Sequence, residues 1–214
     1  MRVSCSCSVR SASAQWTPSS LSPWAWLDSR TGVVLDGSSK VSQWSDLSGL
    51  GHHAKQSSYA VRPVVSNPEA YNGQPVVDFT GTSFLVCDAA MLTQPFTVVW
   101  VGTAPHDTVR WLWSGSAIDP LEIYQSSSNL VLIAGGRFDI PTTEGGPRIC
   151  TFAINGTSSY IRQRSKSGTV ASQTGTCGSA IITRMVVGAN SSSGLYPLNG
   201  VMLGMLVIPK SLSA

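Results

Sequence analysis

Apolar and polar residues alternate over short runs throughout the chain, and Gly, Asn, Pro and Ser clusters break those runs every few residues. Between Trp24 and Gly81 the pattern gives brief apolar strands set with aromatic residues. Beyond it, the alternation predicts strands over 96–102, 109–113, 121–124, 130–134, 148–154, 157–164, 181–189 and 201–208. Asn155-Gly156 lies between two of these, and both residues tolerate the positive φ of a type I′ hairpin turn. A helical turn is expected over 88–92. No run carries the 3.6-residue period of a long amphipathic helix, so the pattern describes one all-β domain. Two strands are apolar on both faces: Val99 and Val101 oppose Phe96, Val98 and Trp100, while Met202, Leu206 and Ile208 oppose Val201, Leu203, Met205 and Val207. A sandwich strand ordinarily shows one face to water, so the second face here requires a cover from a loop of this chain or from another subunit, for example in a homotrimer.

Three stretches resemble a known family. Trp44-Ser45-Asp46-Leu47-Ser48-Gly49, followed by Asn72-Gly73-Gln74-Pro75-Val76-Val77-Asp78-Phe79-Thr80-Gly81, is similar to the first half of concanavalin A-like, laminin-G-like domains. The segment from Leu198 to Ser213 is similar to their closing strand, with Gly204 where relatives usually carry an acidic residue. The resemblance covers about residues 21 to 213. It implies a two-sheet antiparallel jelly-roll sandwich, a fold that hosts lectins, glycosidases and inert structural modules alike. Such domains occur in bacterial surface proteins and in bacteriophage particles.

Composition agrees with a single sandwich. A chain of 214 residues can bury roughly 70% of its unfolded surface and needs no staples. Only 12% of residues are charged and 20 are Gly, which leaves few residues for charged helix faces. The net charge of +3 is spread along the chain and makes no case for a nucleic-acid partner. No apolar run approaches the ~18 residues of a membrane span, and Met1 to Arg10 lacks the apolar core of a signal peptide. The five cysteines have no C-x-x-C spacing, which argues against zinc and for reduced thiols in a cytosol. Cys150 and Cys177 are the pair to check for a disulfide.

Residues 1–22 read as a Ser-rich arm ahead of a domain over 23–214. The arm cannot bury enough apolar surface to order itself. Arg2, Arg10 and Trp16 are its candidate partner-binding residues, two cations for an acidic groove and one indole anchor.

Candidate chemistry is sparse. Glucanases of this fold usually carry carboxylates at alternate positions of one strand, whereas Glu69, Glu122 and Glu144 stand alone. His52, His53 and His106 are the candidate bases, and none lies near a nucleophile elbow. All seven tryptophans precede residue 114. Trp24 with Trp26, and Trp111 with Trp113, share a strand face at period 2, which favours the core. Trp111 and Trp113 follow a polar loop and are the candidates for stacking on a glycan. Asp46, with Asp28 and Asp36, is a weak calcium candidate, although an Asp in this setting more often bonds the backbone of its own turn. Arg162, Arg164 and Lys166 form a basic stripe, either solvated or facing an acidic partner.

The expectation is a non-catalytic structural or adhesive module without a cofactor, on the surface of a virion and made in the host cytoplasm. Its first form is a capsid decoration or head-fibre protein tethered to a shell or tail protein by residues 1–22. The alternatives are a lectin for host-surface glycans and, third, a glycoside hydrolase.

Overall fold

The structure, a computed structural model, describes residues 17–88, 91–105, 108–115, 121–142, 145–191 and 193–213. In chain order its strands are β1 (Ala25–Asp28), β2 (Val33–Leu35), β3 (Val41–Trp44), β4 (Ala54–Lys55), β5 (Val64–Ser66) and β6 (Val76–Thr80). There follow β7 (Leu85–Cys87), β8 (Phe96–Thr103), β9 (Arg110–Ser114), β10 (Leu121–Gln125), β11 (Asn129–Ala134) and β12 (Arg137–Pro141). The chain closes with β13 (Arg148–Ile154), β14 (Ser159–Ser165), β15 (Val170–Gly175), β16 (Met185–Val187) and β17 (Asn199–Ile208). The helical segments among the described residues are single 3-10 turns.

The strands form two antiparallel sheets packed face to face. One has eight strands in the order β15-β14-β13-β8-β17-β6-β5, with β1 also paired to β17; the other has nine, in the order β12-β11-β10-β9-β16-β7-β4-β3-β2. Alternation drives the packing. Phe96, Val98 and Trp100 of β8 and Cys150, Phe152 and Ile154 of β13 point between the sheets, where they meet Trp44, Leu112, Trp113 and Ile123. The fully buried indoles of Trp44, Trp100 and Trp113 are the largest side chains there. At one end a polar link spans the sheets: Arg148, 2% exposed, donates through Nη2 to Gln125 Oε1 at 2.7 Å, and Gln125 Nε2 donates to Thr142 Oγ1 at 2.8 Å.

Both lateral seams of the sandwich are closed. On one side β12 packs against β15, and Gly175 is needed because a Cβ there would stand 2.7 Å from the Phe138 ring. On the other, Lys40 and Val64 form a bridge and the Val41 amide donates to the Pro63 carbonyl at 2.8 Å.

Several expectations are corrected. The hairpin between β13 and β14 exists, but its turn is not type I′: Asn155 keeps φ −151 and Gly156–Ser158 forms a 3-10 turn. The Ser159 hydroxyl accepts from the Asn155 amide and donates to the Gly156 carbonyl, and so closes this longer loop. Within 88–92, Leu92 forms a β-bridge with Ile182 rather than part of a helix; residues 89 and 90 lie outside the described residues. β12 and β15 were not expected, and 181–189 yields only the three residues of β16. Trp24 and Trp26 also part company: Trp24 joins the core, while Trp26 lines a groove on the outer face of the eight-stranded sheet. Cys150 and Cys177 are buried and not bridged. Part of the apolar outer face of β8 and β17 is covered by this chain itself. Its last described residues cross Thr97, whose Oγ1 donates to the Lys210 carbonyl and accepts from the Leu212 amide.

Candidate functional site

A β-bulge decides what the outer face of the nine-stranded sheet displays. β9 pairs Ser114 with Glu122 and Trp113 with Ile123, then resumes with Trp111 opposite Tyr124, so that Leu112 is an extra residue. The extra residue reverses the side-chain alternation. Trp113, at 1% exposure, lies between the sheets, as the core reading expected, and has no ring surface for a sugar, so it is not a glycan-stacking residue. Trp111 turns outward.

There Trp111 is the middle of a three-ring stack. Tyr124 lies on one side at 4.7 Å between centroids and 23° between planes, and Tyr196 on the other at 4.8 Å and 29°. Trp111 and Tyr124 are almost covered, whereas Tyr196 is 57% exposed. Tyr196 was not singled out in the sequence, because no strand period marks a residue on a loop. Its placement is enforced: the Trp111 amide donates to the Tyr196 carbonyl at 3.2 Å, and Arg110 Nη1 donates to the next carbonyl, that of Pro197, at 3.3 Å. Tyr196 sits at φ +49. A left-handed backbone costs a residue with a Cβ about 1–2 kcal/mol, and such strain concentrates at binding sites. The supporting loop is tied to itself by the Asn190 amide on the Leu195 carbonyl and by the Leu198 amide on the Gly188 carbonyl.

Polar groups flank the stack. Asn190 Nδ2 donates to Glu122 Oε1 at 3.1 Å, beside a Leu195 that is also exposed. Glu122 and Tyr124 share one face of β10; opposite them on β11 are Ile133 and Val131, and beyond those on β12 lie Arg137 and Asp139. Asp139 accepts a hydrogen bond from Asn129. The Tyr124 phenol is pushed up by burial; Arg137 lowers it, and Glu122 and Asp139 raise it further. The patch thus combines a flat aromatic surface with an acid–amide pair. This arrangement can pack on the apolar face of a ring and hydrogen-bond its hydroxyls.

The other candidates fall elsewhere. Arg2, Arg10, Trp16, His106 and Glu144 lie outside the described residues. His52 is buried, its ring 4.0 Å from that of Trp24 and its Nδ1 2.6 Å from the Trp24 carbonyl oxygen. His53 Nδ1 accepts from the Asp46 amide at 3.0 Å. Asp28 pairs with Arg30 and Asp36 with Arg62, while Asp46 accepts from amides of its own turn and of Trp26. These three acids therefore serve separate structural ends, and no group of three metal-binding side chains occurs among the described residues. Arg162 and Arg164 are exposed on the outer face of β14.

No family model and no curated protein matches the sequence. Solved structures share the fold. A GH54 α-L-arabinofuranosidase superposes with a TM-score of 0.63 at 13% identity, over 81% of this chain and 48% of the other. The binding domain of Paraclostridial Mosquitocidal Protein 1 gives 0.62 at 12% identity, over 90% and 50%. The receptor-binding domain of botulinum neurotoxin type G gives 0.58 at 10% identity, over 88% and 48%. This chain spans about half the length of each of these structures, and at such identities the likeness is one of fold.

Proposed function

We propose that this chain is a glycan-binding adhesive module whose site is the Tyr196–Trp111–Tyr124 stack with Glu122 and Asn190. One observation carries the reading: an exposed aromatic ring is held in a strained, left-handed conformation over a buried indole, next to a carboxylate–amide pair. Two of the similar folds, the mosquitocidal protein and neurotoxin domains, are binding domains by name, which agrees with an adhesive role. The resemblance to concanavalin A-like domains agrees as well. A capsid-decoration role rested on the arm, whose residues 1–16 lie outside the described residues, and no observation among the described ones favours it over glycan binding.

The test is a glycan array probed with the full chain and with Tyr196→Ala. Binding to a defined set of oligosaccharides that drops at least tenfold in the variant supports the reading. An unchanged profile in Tyr196→Ala, or no bound glycan at all, removes it. Release of free sugar from a bound oligosaccharide, lost in Glu122→Gln, would replace binding by hydrolysis.

A further inference from the structure

The outer face of the eight-stranded sheet bears two rows of side chains that run across the strands. One passes from Ser172 through Arg162, Thr151, Val99 and Leu206 to Trp26; the other from Val170 through Arg164, Ile149, Val101 and Gly204 to Asp28. The rows form the floor of a trough. A cavity of about 560 Å³ lies beside Arg162 and Val170, one of about 370 Å³ between Arg164, Lys166, Ile149 and Leu203, and one of about 140 Å³ against Trp26. Ile149 is 49% exposed, far above the usual share for an isoleucine within a sheet.

Charge is distributed unevenly along it. Asp28 is held by both Nε and Nη2 of Arg30, and Lys166 Nζ donates to the Ala70 carbonyl. Arg162 and Arg164, two positions apart on one face of β14, have no carboxylate partner among the described residues. The trough therefore joins an aliphatic floor to a bank with surplus positive charge.

We infer that this trough docks an extended, acidic polypeptide segment of another protein. Arg162 and Arg164 stand side by side near one end of the trough, one in each row, and their guanidinium groups call for carboxylates at that end of an extended segment. Val99, Val101, Leu203 and Leu206 match aliphatic side chains better than sugar rings, which pack on flat aromatic surfaces. From β14 to β1 the trough crosses four strand spacings, about 19 Å, the reach of roughly six extended residues. Pro18 of the chain's own N-terminal stretch lines the Trp26 end, but residues 1–22 carry Arg2 and Arg10 and no acidic residue, so they do not supply the carboxylates that the arginines call for. The inference is independent of the glycan site, which lies on the other sheet.

The experiment is a selection of random twelve-residue peptides on the full chain, followed by binding isotherms at two salt concentrations. Enriched peptides should carry Asp or Glu grouped at one end of a run of Val, Leu or Ile. Their affinity should fall at least tenfold in Arg162→Glu/Arg164→Glu and with added salt, yet persist in Lys55→Glu, the same kind of charge reversal on the opposite sheet. Thermal melts show that each variant is folded. Peptides without acids, no enriched peptides, or affinity indifferent to the double substitution would overturn the proposal. So would tighter, arginine-dependent binding of an acidic polysaccharide such as polygalacturonate, or a dimer seen by light scattering that the double substitution dissolves.

Discussion

The carboxylate of Asp46 accepts the backbone amide of Trp26 at 2.8 Å, and the carbonyl of Trp26 accepts the amide of Leu47, the residue after Asp46, at the same distance. Asp46 follows β3 of one sheet and Trp26 lies in β1 of the other, so the backbone of one residue is clamped on both sides across the sandwich.

This clamp makes the fold sensitive to acid. Burial acts to raise the Asp46 carboxyl, but hydrogen bonds from Ser48, Trp26 and His52 outweigh it and hold the group below its ordinary value. A carboxyl with a lowered folded pKa stabilises the fold fully above its unfolded value of about 3.9, and that contribution is lost as pH falls below it. Asp28, lowered by Arg30 against the effect of burial, adds in the same direction. Asp46→Ala is expected to cost about 1–3 kcal/mol, the penalty for stranded donors. Urea melts followed by circular dichroism from pH 7 to pH 2.5 should show the gap between wild type and Asp46→Ala closing below pH ~4; a constant gap contradicts the assignment.

Stability and binding should separate at two neighbouring aromatics. Trp113→Ala opens a hole between the sheets and should cost about 3–5 kcal/mol. Tyr196→Gly loses a stacking contact of about 0.5–1.5 kcal/mol but relieves about 1–2 kcal/mol of left-handed strain, so it should melt within a few degrees of wild type while abolishing glycan binding. A large drop in the melting temperature of Tyr196→Gly would make that residue a structural support instead.

Glu122 is the charged group hydrogen-bonded within the site and has no cation in ion-pair reach among the described residues, so the site should prefer neutral sugars. On paired glycans that differ only by a terminal carboxylate, the neutral partner should bind more tightly, and Glu122→Gln should narrow the difference. Isothermal titration with such pairs measures this, and a preference for the acidic member runs against it.

Burial pushes the thiols of Cys87 and Cys150 up to about 12, and Cys177 is also raised by burial. None should be alkylated by iodoacetamide at pH 8 in the folded protein, and all three should react in denaturant. Peptide mapping by mass spectrometry reads this residue by residue; rapid labelling of native Cys150 would show that it is accessible.

Much of the fold was legible, because β13 and β14 bury one face in the core at a period of 2 that the sequence displays, and β8 and β17 stand out as unbroken apolar runs. β12 and β15 were illegible for a physical reason. Val170 to Gly175 lies at a sheet edge and has no large apolar residue facing the core; β12 buries Phe138 and Ile140 at period 2, but the run is only five residues long, is broken by Arg137 and Asp139 and ends in Pro141. The site was half legible. Trp111 could be named, but the single extra residue Leu112 reverses Trp113, and a bulge leaves no mark on composition. Tyr196 reaches the site through a loop whose course depends on contacts made only after folding.

The closed seams of the sandwich bear on how the molecule behaves when crowded. Sheet margins with unpaired amides and carbonyls are where chains add to one another and start fibrils. Here Phe138 packed over Gly175 covers part of one margin, and the Lys40–Val64 bridge ties the two sheets together at the other. The protein should therefore tolerate display at high local density, many copies side by side, without strand exchange. Weak single-site adhesion depends on that tolerance, since only an array of copies turns it into firm attachment.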